Sequence, residues 1–104
     1  MELTLLAVPA CPNAARFEER LAAAMAGRPD VVLHRRVIAT EQEAADAGMH
    51  GSPTLLVDGA DPFAAPGQAP SLSCRLYRDE SGSADGAPSV DALRRAIGPG
   101  GAYR

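Results

Sequence analysis

Cys11 is the residue in this chain whose neighbours say most about chemistry. It sits in Pro9-Ala10-Cys11-Pro12-Asn13-Ala14, directly after an apolar run. Pro12 suits the first position of a helix, where its missing N–H would have had no partner, and this predicts Cys11 at the N-cap. A thiol there meets unpaired backbone N–H groups and the positive end of the helix dipole, which favour thiolate over thiol. Such a thiolate attacks disulfides, reduces a peroxide by way of a sulfenic acid, or binds a soft metal. The same position also suits a small buried residue ending a strand, as free cysteine often does.

The other groups with chemistry to offer are Cys74, His34, His50 and Asp61. Position 14, three after Cys11, is alanine, so no second thiol shares the helical turn, and regeneration needs a small thiol, another protein or Cys74. If the strands before and after the long loop form a hairpin, Cys74 falls beside Val57 or Asp58, roughly 15 Å from Cys11 at ~3.3 Å per residue. That exceeds the ~7 Å between Cα atoms that a disulfide spans. Cys74 is then a buried or separately reactive thiol, and pairs with Cys11 only if strand register or the long loop brings it back. His50, three residues before Pro53, is placed to tune Cys11 or shuttle a proton, or else is a solvated loop residue. His34 lies on an expected edge strand. Two Cys and two His at these spacings match no zinc pattern, so no metal site is expected. Asp61 and Phe63 either line a substrate groove or pin their loop. Arg35-Arg36 and Arg94-Arg95 read as solvated faces.

The whole chain must position these groups with few aromatics. Apolar residues make up 46% of its 104 residues, Trp is absent, and only Phe17, Phe63, Tyr77 and Tyr103 are aromatic, so the core is aliphatic. A net charge of -3 and a pI near 5.2 leave no footprint for nucleic acid. No run reaches the ~18 apolar residues of a membrane span, and no basic signal-peptide lead precedes the first strand, so a cytoplasmic protein is expected. In that compartment two cysteines are more often catalytic, redox or metal-binding than structural.

The elements follow in order. Met1 to Val8 is a nearly continuous apolar strand, of the kind covered on both faces. A helix runs from about Pro12 to Ala26, with Ala14, Phe17, Leu21, Ala24 and Met25 on its apolar face, and closes at Gly27. Asp30 to Ala39 is a strand with mid-strand charge, hence an edge. Thr40 to Glu43 is a capping box opening a short alanine-rich helix that ends at Gly48. Pro53 opens a strand through Leu55 to Val57, and Asp58-Gly59 turns it. Ala60 to Leu72 is a long loop of the kind that is often functional. Ser73 to Arg78 alternates, with Cys74, Leu76 and Arg78 on one face and Arg75 and Tyr77 on the other. Asp79 to Pro88 is a polar connector. Ser89 caps a last helix that buries Val90, Leu93, Ala96 and Ile97 and stops at Gly98-Pro99. Residues 1–98 thus read as one α/β domain and 99–104 as a frayed tail. The order β-α-β-α-β-β-α predicts a four-stranded mixed sheet, with the last two strands as a hairpin and helices on both faces.

Over residues 2 to 98 the chain resembles the thioredoxin-like superfamily, through the Cys11-Pro12 start of its first helix and the Ser52-Pro53-Thr54 that opens its third strand. More closely, Gly51-Ser52-Pro53-Thr54, Asp58-Gly59, Asp61-Pro62-Phe63 and Ser73-Cys74-Arg75-Leu76-Tyr77 are similar to a group of small bacterial thioredoxin-family proteins. Some of that group are labelled alkylmercury lyase, and some are similar to selenoproteins carrying selenocysteine at the position of Cys11. The resemblance implies a cis Pro53 facing Cys11, and a Ser52 backbone that pairs with a bound thiol substrate. Pro12, Ser52, Pro53 and Thr54 become substrate-binding residues, with Cys11 and Cys74 as the catalytic thiols. The chain departs from that pattern where Ala14 replaces the second cysteine of CxxC and where Ala10 replaces the preceding aromatic residue. The function expected is therefore a monothiol oxidoreductase acting on a low-molecular-weight thiol or a protein disulfide, with no cofactor, membrane or nucleic-acid partner. Two alternatives stand beside it: a soft-metal or organomercurial thiol protein using Cys11 and Cys74, and a non-catalytic interaction module, dimeric through an edge strand.

Overall fold

The computed structural model describes residues 1–79 and 81–98, so the expected tail lies outside the described residues apart from its approach at Gly98. Its elements are β1 (Glu2–Ala7), α1 (Ala14–Met25), β2 (Val32–Val37), α2 (Glu41–Ala47), β3 (His50–Ser52), β4 (Thr54–Val57), β5 (Ser71–Cys74), β6 (Tyr77–Arg78), β7 (Ala84–Asp85) and α3 (Val90–Ile97). The apolar first strand becomes the centre of a mixed sheet ordered β2-β1-β4, with β2 parallel and β4 antiparallel to β1. Alternation along β1 then serves both faces. Leu3 and Leu5 join Phe17, Leu21, Leu55, Leu93 and Ile97 under α1 and α3, whereas Leu6 joins Ile38, Ala44 and Met49 under α2. The result is an α/β domain with helices on both faces, as the pattern predicts.

The α1–α3 layer carries most of the aliphatic burial. Phe17, Leu21 and Leu93 are wholly buried and Ile97 nearly so. Each contributes about 1.5–3 kcal/mol relative to exposure. Polar ties then fix the rotation of α1. Arg16 and Arg20 both pair with Asp85, and Arg20 also donates to the carbonyls of Ala87 and Pro88. Those guanidinium hydrogen bonds, that of Arg20 first, hold the Asp85 carboxyl below its usual range. Local signals at the other helices behave as expected. Thr40 and Glu43 form the reciprocal capping box, Gly48 ends α2 in the left-handed region at φ 78°, and the Ser89 hydroxyl accepts from Ala92 N–H.

Four expectations change. First, α1 starts at Ala14 with Asn13 as its N-cap, so Cys11 lies two residues ahead of the cap. The reason is local: Ala10 takes φ 58°, Cys11 N–H bonds Val8 C=O, and Ala14 N–H bonds Cys11 C=O, which spends Pro12 and Asn13 on a turn. Second, β4 and β5 are not a hairpin. β5 runs parallel to β3, with His50 opposite Ser71 and Ser52 opposite Cys74, because the 60–70 loop is long enough to carry the chain back to the start of that region. Among the described residues, the sheet around β1 therefore holds three strands, and β3-β5 is a separate pair. Third, the predicted strand from Ser73 to Arg78 breaks between Cys74 and Tyr77, although its faces are as expected: Arg75 and Tyr77 are buried while Cys74, Leu76 and Arg78 are exposed. Fourth, the 79–88 connector contains β7, which pairs antiparallel with β6.

β2 does lie at the sheet edge, and it exposes Val32 and Val37. No helix among the described residues is long and apolar enough to cross a membrane.

Candidate functional site

The turn from Val8 to Asn13 and the end of β3 meet at one hydroxyl. Ser52 Oγ accepts from Val8 N–H at 3.0 Å and donates to Cys11 Sγ at 3.1 Å. The backbone donor leaves the hydroxyl hydrogen to point at sulfur, so the bond has a defined direction. Cys11 is half-buried, Pro12 beside it is exposed, and the Ser52–Pro53 peptide is cis. Cys11 also lines a cleft of about 400 Å³, together with Val8, Ala10 and Ala14 and with Arg36 and Val37 of β2. The helix-terminus argument for Cys11 weakens with the later start of α1, since dipole effects fall off within a turn. Its polar partner is instead Ser52.

Behind Ser52 and Pro53 lies a buried polar network. Arg75 Nη1 donates to Asp61 Oδ2 at 2.7 Å and to Thr54 Oγ1 at 3.2 Å, and its Nη2 donates to Phe63 C=O at 2.8 Å. His50 Nδ1 meets the same Asp61 Oδ2 at 2.9 Å, and Phe63 N–H donates to Asp61 Oδ1. The side chains of Asp61 and Arg75 are only 2% and 6% exposed, so this pair is out of water. Burial alone would push the Asp61 carboxyl up. The hydrogen bonds from Arg75, His50 and Phe63 outweigh it and hold the carboxyl below its usual range. Tyr77 donates its hydroxyl to Pro53 C=O while its ring stands edge-on to Phe17 and Phe63 and under the Arg75 guanidinium. Burial raises this phenol far above its ordinary range, so it remains a donor. Among the described residues, every buried side-chain nitrogen and oxygen has a partner.

The network acts on the site through backbone. Tyr77 grips Pro53 C=O, Thr54 Oγ1 bonds Gly51 C=O and His50 N–H, and Arg75 N–H bonds Ser52 C=O at 3.0 Å. The cis segment next to Cys11 is thus fastened on both sides of the peptide bond.

The predicted site residues divide accordingly. Ser52 meets Cys11 through its hydroxyl, and Pro53 follows it across the cis peptide bond. The Ser52 carbonyl, however, is taken by Arg75 N–H and Ser52 is 1% exposed, so the edge assigned to an incoming substrate is covered by the protein's own β5. Thr54 is wholly buried and its hydroxyl serves the network. His50 is bound to Asp61, and Asp61 and Phe63 anchor the loop to Arg75 and Tyr77; Phe63 also borders an open cleft of about 620 Å³ with Pro62 and Arg78, away from Cys11. His34 pairs with Glu2 on the exposed edge. Cys74 is exposed opposite Ser52, at the Cys11 end of the molecule and not beside Val57.

Arg75 and Tyr77 are the positioning residues that sequence reading missed. Their placement on the inward face of an alternating strand was visible, but an inward Arg needs a buried carboxylate, and Asp61 lies fourteen positions away across a loop. No group of three or more metal-binding side chains occurs among the described residues. Comparison of the chain with protein-family models, with characterised proteins and with solved structures finds no match.

Proposed function

We propose that this chain is a thioredoxin-like monothiol oxidoreductase in which Cys11 is the attacking sulfur. The observation that carries the reading is the Ser52 hydroxyl, oriented by Val8 N–H and aimed at Cys11 Sγ from 3.1 Å, beside a cis Pro53. The thiolate is the attacking species in thiol–disulfide exchange, and the Ser52 O–H is a hydrogen-bond partner within reach of its sulfur. Attack on a disulfide forms a Cys11 mixed disulfide and expels the other sulfur as a thiolate. The substrate approaches from the side of exposed Pro12 and the cleft by Val8 and Arg36, because β5 covers the Ser52 edge. A low-molecular-weight disulfide fits that approach better than an extended peptide strand.

The test is single-turnover reaction with a chromogenic aromatic disulfide, located by peptide mapping. Wild type should form its first adduct at Cys11, and Cys11→Ser should lose the fast phase. A fast phase that survives Cys11→Ser refutes the reading.

A second reading, soft-ion or organomercurial binding by Cys11 and Cys74, is favoured by their shared position next to Ser52. It requires that either Cys→Ser change abolish tight binding of a mercurial.

A further inference from the structure

Cys74 was expected far from Cys11, and its observed place gives it a task. Gly51 and Arg75 share one face of the β3-β5 pair: a Cβ built on Gly51 would lie 2.9 Å from Arg75 Cβ, and Arg75 itself turns into the buried network. Side chains alternate along a strand, and directly paired residues of neighbouring strands share a face. The β3-β5 register is irregular between His50 and Ser52, but Ser52 and Cys74 are directly paired; Cys74 is exposed where Arg75 is buried, and Ser52 Oγ touches Cys11 Sγ. Paired Cα atoms lie about 5 Å apart. One ladder step thus separates Cys74 from the residue that contacts the attacking sulfur. Ser73, Cys74 and Leu76 are exposed, while Arg75 between them is anchored in the buried network, so the backbone beside Cys74 is held and its thiol is left facing solvent.

Resting on the reading of Cys11 as nucleophile, we infer that Cys74 is the resolving thiol. In the first step the Cys11 thiolate attacks a substrate disulfide, forming Cys11–S–S–R and releasing R′S⁻. In the second, the Cys74 thiolate attacks Cys11 Sγ, breaks the mixed disulfide and releases RS⁻. The protons lost by the two cysteines end, through solvent, on the two product thiols. The substrate is reduced by two electrons and the protein is oxidised to a Cys11–Cys74 disulfide, which an external thiol reductant reopens. Closure brings the Cys11 turn, where Pro12 is exposed, toward Cys74 on the anchored end of β5 until the Cα atoms are within the ~7 Å that a disulfide spans. The chain then carries, on a neighbouring strand, the second thiol that Ala14 denies to the helix.

The experiment uses reduced full-length protein in excess over a symmetric chromogenic aromatic disulfide, followed by intact mass and peptide mapping of the monomer. Wild type should release two thiolates per disulfide, carry no adduct, and become two hydrogens lighter through a Cys11–Cys74 cross-link. Cys74→Ser, a change at an exposed position, should release one thiolate, half the wild-type yield, and retain an adduct at Cys11. A stable Cys11 adduct in wild type overturns the relay and leaves the attack by Cys11 standing. Absence of the Cys11 adduct in Cys74→Ser overturns the attack itself. Two thiolates released without the intramolecular cross-link, by pairing between chains, also overturns the relay.

Discussion

Asp61→Asn changes one charge and almost no volume, so it isolates what the buried pair contributes. The carboxylate accepts from three donors: Arg75 and His50 at Oδ2, and Phe63 N–H at Oδ1. An amide offers one oxygen. Whichever way it turns, its NH₂ faces a donor, and the 6%-exposed Arg75 loses its counter-charge. Removing one partner of a buried ion pair costs about 3–5 kcal/mol. A domain of this size has about 5–15 kcal/mol in all. The melting temperature should fall by roughly 12 °C or more at about 4–8 °C per kcal/mol. Urea denaturation followed by circular dichroism at neutral pH measures the loss directly. The sign of the pH dependence is a second check. Because the Asp61 carboxyl lies below its ordinary value in the folded state, its contribution is fully present above the unfolded value of about 3.9 and is lost as pH falls through the lower folded value. The gap between wild type and Asp61→Asn should therefore narrow below about pH 4. A loss under about 1 kcal/mol, or a gap that stays constant into acid, would refute the claim that this pair is desolvated and holds the segment next to Cys11.

Ser52→Ala removes the donor to Cys11 Sγ and the acceptor of Val8 N–H, so alkylation of Cys11 at fixed neutral pH should slow by roughly 10- to 150-fold, from a charge-assisted bond of about 1.5–3 kcal/mol; an unchanged rate in a folded variant would remove Ser52 from the mechanism. Tyr77→Phe leaves the Pro53 carbonyl without its buried donor and should cost about 1–3 kcal/mol in urea denaturation. A neutral result would mean that the carbonyl finds another partner. Gly51→Ala should destabilise by at least about 1–3 kcal/mol, since the residue holds φ 112° and the added Cβ would also lie 3.1 Å from Ser73 C=O. Its fingerprint is loss of amide protection at Arg75, whose N–H bonds Ser52 C=O, before loss at β1.

Periodicity and caps were enough to determine much of this molecule. The continuous apolar run of β1 required cover on both faces, and Leu5 and Leu6 now belong to opposite layers. Thr40, Glu43, Gly48 and Ser89 marked helix ends by backbone chemistry that acts within a few residues. The polar mid-strand of β2 marked an edge. The alternation from Ser73 to Arg78 sorted inward from outward side chains even where the strand breaks.

Tertiary structure decided what the long loop does. Periodicity carries no information about strand register across a thirteen-residue connection, so the placement of Cys74 at Ser52 and not at Val57 could not be read from spacing. Nor could the partnership of Asp61, His50 and Arg75, because an ion pair out of water depends on which surfaces close over it and not on distance along the chain. Even the start of α1 depended on the turn made by Ala10, where a left-handed residue and two short-range hydrogen bonds moved Cys11 away from the N-cap and left Ser52 as its polar neighbour.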